Sequence, residues 1–309
     1  MAQATKELSL PGWSGRFTVG QQKVNDIRLH YAEAGDADAP LVILLHGFPD
    51  FWWGWRRQMG PLAEAGLRVV APDQRGYNLS SKPPRFQAYD LDILSSDVIA
   101  LADALGSPKV RLVGHDFGGL VAWWAATCHP DRVERLAVIN APHPEVVSPY
   151  MRRHPTQMMR SLYAGFFQLP WLPETALSAG NFAMLRQALT GSSQAGAFTS
   201  ADLDLYERAW AEPGALKAML DWYRALRVKA QLRDARVTVP TLLIWGQQDR
   251  FLETGLAEES LALCDAARSV FFEQGSHWVQ LEEVDAVNQA LVEFLRPEPR
   301  QPSGHVPEA

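Results

Sequence analysis

The chain has 309 residues, 47% hydrophobic and 21% charged, which supplies a large core and argues against disorder for most of its length. A net charge of -6 offers no basic stripe for nucleic acid and no polybasic segment for a membrane, so composition points to a small neutral partner. No run approaches the roughly 20 apolar residues that span a bilayer, and MAQATKELSLPGW has no apolar signal core, which predicts a cytoplasmic protein. Cys128 and Cys264 sit in helical-looking stretches and are expected to be small buried hydrophobes, not a disulfide or a thiolate metal site.

Two short segments, GRFTV and DIRLHYAEAG, predict antiparallel strands at the start of a sheet. The runs APLVILLHG, LRVVAPD, KVRLVG, ERLAVINAP, PTLLIWG and SVFFEQG follow, apolar, of strand length and mostly separated by helical stretches. That alternation predicts an α/β fold: a mostly parallel, doubly wound, eight-stranded sheet with helices on both faces. One interval breaks the rhythm. Residues 145–235 have helical periodicity, many aromatics and no buried strand, and far exceed the ordinary connection of about 4–6 residues; they are read as an inserted helical lid. The core is thereby divided into 1–144 and 236–297. The tail 298–309, rich in Pro, Gly and polar residues, is expected to be disordered.

Reacting groups in open α/β sheets sit at the carboxyl ends of strands. In chain order those ends supply His46-Gly47-Phe48-Pro49, Asp116, Asn140, Asp249 and His277. Gly114-His115-Asp116-Phe117-Gly118 has the G-x-nucleophile-x-G layout of a strand-turn-helix elbow, with aspartate where serine is usual. A serine attacking saturated carbon would leave an ether that water does not readily cleave. A carboxylate leaves an ester, whose carbonyl is a second electrophile. Asp116 therefore predicts substitution at an sp3 carbon followed by ester hydrolysis. His277, oriented by Asp249, is the expected base for water; Asn140, at the alternative position for the acid, cannot carry charge. The backbone N–H groups of Phe48 and Phe117 are expected to hold the tetrahedral oxyanion. Nucleophile, acid, histidine is the chain order of the α/β-hydrolases.

The motifs HGFPDFWWGWRRQM, PDQRGYNLSSKP, GHDFGG, VINAPHP, WGQQDRFL and GSHWVQLEE together resemble an α/β-hydrolase-fold epoxide hydrolase of the aspartate-nucleophile type, from about residue 20 to residue 296. In the lid, SLYAGFFQLPW and MLDWYRAL resemble the segments from which such enzymes supply a pair of tyrosines, which implies Tyr163 and Tyr223 here. Chemistry explains the need. Opening an epoxide leaves an alkoxide too basic to depart unaided, and a phenol with a pKa near 10 donates to the ring oxygen yet stays protonated at neutral pH. The resemblance implies a small hydrophobic epoxide and water as partners, with oligomeric state open.

His46, Pro49, Trp52 and Trp53 are expected to line a hydrophobic pocket, and Asp73 and Arg75 to form a structural polar pair. No metal and no cofactor are expected. Asp116-Phe117-Gly118 spells a kinase metal-binding tripeptide but lacks the other kinase loops, and there is no His-Glu-x-x-His zinc helix. Two rival functions stay open. A dehalogenase would use the same aspartate and histidine, but fluoroacetate dehalogenases pair the nucleophile with arginine and place the acid after the sixth strand, where Phe117 and Asn140 stand here. Haloalkane dehalogenases offer tryptophan beside the nucleophile, again Phe117. A silent hydrophobic-ligand binder is the other rival.

Overall fold

A computed structural model of the chain describes residues 9–228, 232 and 234–296. The expected disordered tail lies outside the described residues. Eight strands form one sheet: β1 (Phe17–Val24), β2 (Ile27–Ala34), β3 (Leu41–Leu45), β4 (Arg68–Pro72), β5 (Val110–His115), β6 (Val133–Ile139), β7 (Thr241–Gly246) and β8 (Ala267–Phe272). Their spatial order is β1-β2-β4-β3-β5-β6-β7-β8. β2 runs antiparallel to both neighbours, and every pairing from β4 to β8 is parallel.

Burial follows strand position. β3, with the sequence LVILL, is buried at every residue, as a central strand covered on both faces must be. The edge strand β1 buries only Val24 fully. The covering helices are α1 (Met59–Glu64), α2 (Leu91–Ala104), α3 (Phe117–Cys128), α10 (Thr254–Leu261), α11 (Val279–Glu282) and α12 (Val284–Leu295). α1 packs on α12 and α2 on α3.

Between β6 and β7 the chain forms α4 (Pro144–Arg153), α5 (Pro155–Arg160), α6 (Leu162–Phe166), α7 (Leu172–Ser192), α8 (Ser200–Ala211) and α9 (Ala215–Ala225). α7 is broken by non-helical backbone from Ala179 to Phe182. These helices sit over the carboxyl end of the sheet, tied to the loops after β3 and β4 by buried donors. Trp53 Nε1 donates to Asp202 Oδ1 at 2.6 Å, Tyr206 Oη to Asp50 Oδ1 at 2.6 Å, Trp210 Nε1 to the Pro49 carbonyl at 2.6 Å, and Trp222 Nε1 to the Arg75 carbonyl at 2.9 Å. Each tryptophan thus buries its ring while satisfying its single donor.

Two expectations are corrected here. Cys128 is exposed because it ends α3, past the turns that face the sheet; Cys264 is half-buried, and both thiols are free. Asp73 and Arg75 do not pair with each other. Asp73 turns inward to His30 Nδ1 at 2.6 Å and Asn78 Nδ2 at 2.8 Å, whereas Arg75 reaches Asp97 at 2.6 Å and Asp26 at 2.8 Å. Each charge finds its counterpart on a different element. Among the described residues, no helix is long and apolar enough to cross a membrane.

Candidate active site

β5 ends in a turn that forces Asp116 to φ 52° and ψ -125°. Such backbone costs a non-glycine residue about 1–3 kcal/mol, so the surroundings must hold it. They do so by close approach. A Cβ on Gly118 would lie 2.1 Å from the Leu45 carbonyl oxygen, and one on Gly47 would lie 2.2 Å from Asp116 Oδ1. Only glycine at 47 lets the His46–Pro49 turn press against the carboxylate. There the Phe48 N–H donates to Asp116 Oδ1 at 2.8 Å. α3 begins at Phe117, so that residue's N–H is one of the helix donors with no intrahelical acceptor. The side chain of Asp116 remains 19% exposed, which leaves it open to a ligand.

His277 follows β8 in a loop pinned by Glu282, whose carboxylate accepts from Ser276 N at 2.7 Å and Ser276 Oγ at 2.5 Å. Its Nδ1 bonds Asp249 Oδ2 at 2.7 Å, and its Nε2 lies 3.4 Å from Asp116 Oδ2. Asp249 is itself saturated: Oδ1 accepts from Phe251 N at 2.7 Å and Leu252 N at 3.0 Å, and Oδ2 also accepts from Asn140 Nδ2 at 2.8 Å. Asn140 is locked in turn, its Oδ1 accepting from Gly246 N at 2.9 Å. The position after β6 therefore holds a brace for the carboxylate that follows β7.

Electrostatics separate the groups. Burial would raise Asp116, but the hydrogen bond and charge of His277, with the Phe48 N–H, hold its carboxyl below the usual range. Burial would likewise depress His277, yet Asp249 and Asp116 outweigh it and lift the imidazole to about 10. His115 stands behind the pair, with Nε2 2.8 Å from the His277 carbonyl oxygen; burial, then the neighbouring His277 charge, pushes it down to about 3. It is a neutral strut.

A cavity of about 460 Å³ opens over Asp116, and its wall includes Phe117, Tyr163, Tyr223 and Leu120. Tyr163 comes from α6 and Tyr223 from α9, their rings 6.0 Å apart at 79°. Tyr223 packs edge-on against Phe117 at 4.6 Å and Phe48 at 5.2 Å. Tyr163 stands against Phe251, whose ring is 5.2 Å from that of His277. Burial, with the nearby Asp116 charge, raises both phenols above their ordinary value and keeps them protonated.

The remaining expected pocket residues lie outside that wall. His46 is fully buried, donating from Nδ1 to the Gly47 carbonyl at 3.0 Å and accepting at Nε2 from Gln74 N at 3.1 Å. Pro49 offers its carbonyl to Trp210. Trp52 packs on Phe17 at 5.6 Å, and Trp53 is committed to Asp202. All four are committed to packing or hydrogen bonds in and around the His46–Pro49 turn, whose Phe48 ring packs on Phe167 and Tyr223. Sequence reasoning also missed the brace role of Asn140, for which position after a strand was the sole signal.

The alpha/beta hydrolase fold family matches residues 40–284, and the chain belongs to that family. A Bacillus subtilis relative, AB hydrolase superfamily protein YfhM, is 45% identical over 274 residues, 88% of this chain and 96% of that protein. Human epoxide hydrolase 4 is 40% identical over 285 residues, 90% of this chain and 78% of that one. Among solved structures, the Bacillus megaterium epoxide hydrolase in complex with an inhibitor has a TM-score of 0.84 at 30% identity, covering 90% of this chain and 100% of its own. Epoxide hydrolase A from Mycobacterium thermoresistibile has a TM-score of 0.80 at 31% identity, covering 93% of this chain and 100% of its own.

Proposed function

We propose that the protein is an epoxide hydrolase that converts a small hydrophobic epoxide and water to a vicinal diol through an alkyl ester on Asp116. The observation that carries this reading is one cavity walled by a carboxylate and by two protonated phenols, Tyr223 buried and Tyr163 half-buried. Residues 145–235 act as the lid that delivers those phenols.

Asp116 Oδ2, the oxygen not held by Phe48, attacks a ring carbon; the C–O bond breaks, and Tyr163 or Tyr223 gives its proton to the departing oxygen. The resting imidazole keeps its proton because two anions face it. Esterification erases one of them, so His277 passes its proton to the phenolate and becomes a free base. It then takes a proton from water, and hydroxide adds to the Asp116 carbonyl carbon. The Phe48 and Phe117 N–H groups hold the oxyanion, a contribution of about 2.7–4 kcal/mol for each donor of this kind. Collapse expels the diol oxygen, which takes the proton from His277. The proton left on the Asp116 carboxyl returns to His277 and restores the ion pair. Asp116 stays below the ordinary carboxylate range, so that return is downhill.

A dehalogenase would need donors for a halide beside the nucleophile. Phe117 offers no side-chain donor, and Asn140 is spent on Asp249. Styrene oxide and a bromoalkane, assayed side by side for diol and for bromide, test the assignment. Diol without bromide supports it; bromide without diol overturns it.

A further inference from the structure

Six of the ten large hydrophobic side chains exposed among the described residues fall between Met158 and Leu172: Met158, Met159, Leu162, Leu169, Trp171 and Leu172. Trp171 is 71% exposed, although an indole of that size normally buries itself. The charge pattern of the same stretch is equally uneven. From Val146 to Pro173 there is no Asp or Glu, while Arg152, Arg153, Arg160 and His154 are present in a chain of net charge -6. Two of these arginines face carboxylates from α10 and the turn before it: Arg153 pairs with Glu259 at 2.7 Å, and Arg160 lies 3.8 Å from Glu253. Arg152 has no carboxylate partner among the described residues. The patch is also continuous with the cavity, because Met158 and Leu162 are both exposed and part of its wall.

We propose that this face, formed by the end of α4, α5, α6 and the start of α7, rests on an anionic lipid surface from which apolar ligand enters the cavity past Met158 and Leu162. Apolar side chains with an indole among them, flanked by arginine, are the composition of an interfacial attachment. A second copy of the chain fits less well, since a stable interface takes about 20–30 residues a side and this patch has few. Overall acidity hid the feature, because attachment depends on the local face and not on the sum. The docking stands apart from the chemistry. Only the identity of what is delivered rests on the epoxide reading.

The test is co-sedimentation of the full chain with vesicles of neutral phosphatidylcholine and of phosphatidylcholine with phosphatidylglycerol. The wild type is expected to sediment with the anionic vesicles and to be released by added salt. M159S/W171S and R152Q, which alter no residue around Asp116, are expected to bind at least about tenfold and about fivefold more weakly respectively, while turning over dissolved styrene oxide at the wild-type rate. Wild-type protein that stays in the supernatant, or variants that bind as well as it does, would overturn the proposal. So would a wild-type dimer in sedimentation velocity that M159S/W171S abolishes without any vesicle binding. Absence of diol with vesicle binding intact would count against the epoxide reading alone.

Discussion

Asn140 Nδ2 donates to Asp249 Oδ2 at 2.8 Å, the same oxygen that receives His277 Nδ1 at 2.7 Å. The acid is thus held from two sides, so the imidazole has one available orientation. Removing the amide by Asn140→Ala leaves that oxygen short of a donor, at a cost of about 1–3 kcal/mol in a buried site. Ester hydrolysis is expected to slow by about tenfold or more, with formation of the ester little changed. Single-turnover kinetics that resolve the two steps check this; equal slowing of both would show general misfolding of the site.

Replacing the base should stop the reaction halfway. In His277→Gln, Asp116 still attacks but nothing activates water, so intact-mass analysis is expected to show the protein shifted by the mass of one epoxide. An unshifted mass after prolonged incubation would place the chemistry elsewhere.

On the proposed mechanism the phenols act in the first step. Tyr163→Phe and Tyr223→Phe are each expected to slow ester formation, and together by about 10²–10⁴-fold, the usual range for a general acid. Their effect is read in the His277→Gln background, where adduct mass reports ester formation alone. Normal adduct accumulation in the triple variant would exclude them as acids.

Gly47 has no room for a side chain. In Gly47→Ala the new Cβ meets Asp116 Oδ1 and must push the His46–Pro49 turn away. Activity is expected to fall far more than the melting temperature does, because the displaced group is the Phe48 N–H. A fully active alanine variant would contradict the close approach.

The pKa of His277, raised from 6.5 to about 10, links the site to stability. A base whose folded-state pKa lies above its unfolded value adds stability that is full below pH 6.5 and is lost as pH rises through about 10. Thermal melts of the wild type and His277→Gln are expected to differ most near pH 6 and to converge toward pH 10. A gap that holds or widens with pH would show that the imidazole is not charged in the resting protein.

The strands were legible because central parallel strands are apolar on both faces; LVILL and TLLIWG read the same way in any environment. β1 was only half legible, since its polar second half GQQKV pairs along an exposed edge. That Asp116, Asp249 and His277 meet was legible because the strands before them end on one edge of the sheet. Direction was harder. His46, Trp52 and Trp53 lie near the Phe48 N–H in sequence, yet all three are buried outside the cavity wall. Asn140 and Asp249 meet across 109 positions, and Asp73 and Arg75 each left a near neighbour for a distant partner. Local sequence does not encode such choices.

The central claim is that Asp116 becomes covalently bonded to substrate and is then released by water, and a single turnover in ¹⁸O-water tests it most directly. With enzyme in excess over styrene oxide, the account predicts unlabelled diol and one ¹⁸O in the peptide that contains Asp116, since the diol takes its oxygen from the carboxylate. Labelled diol with an unlabelled Asp116 peptide would mean that water attacks the ring itself, and would contradict the account.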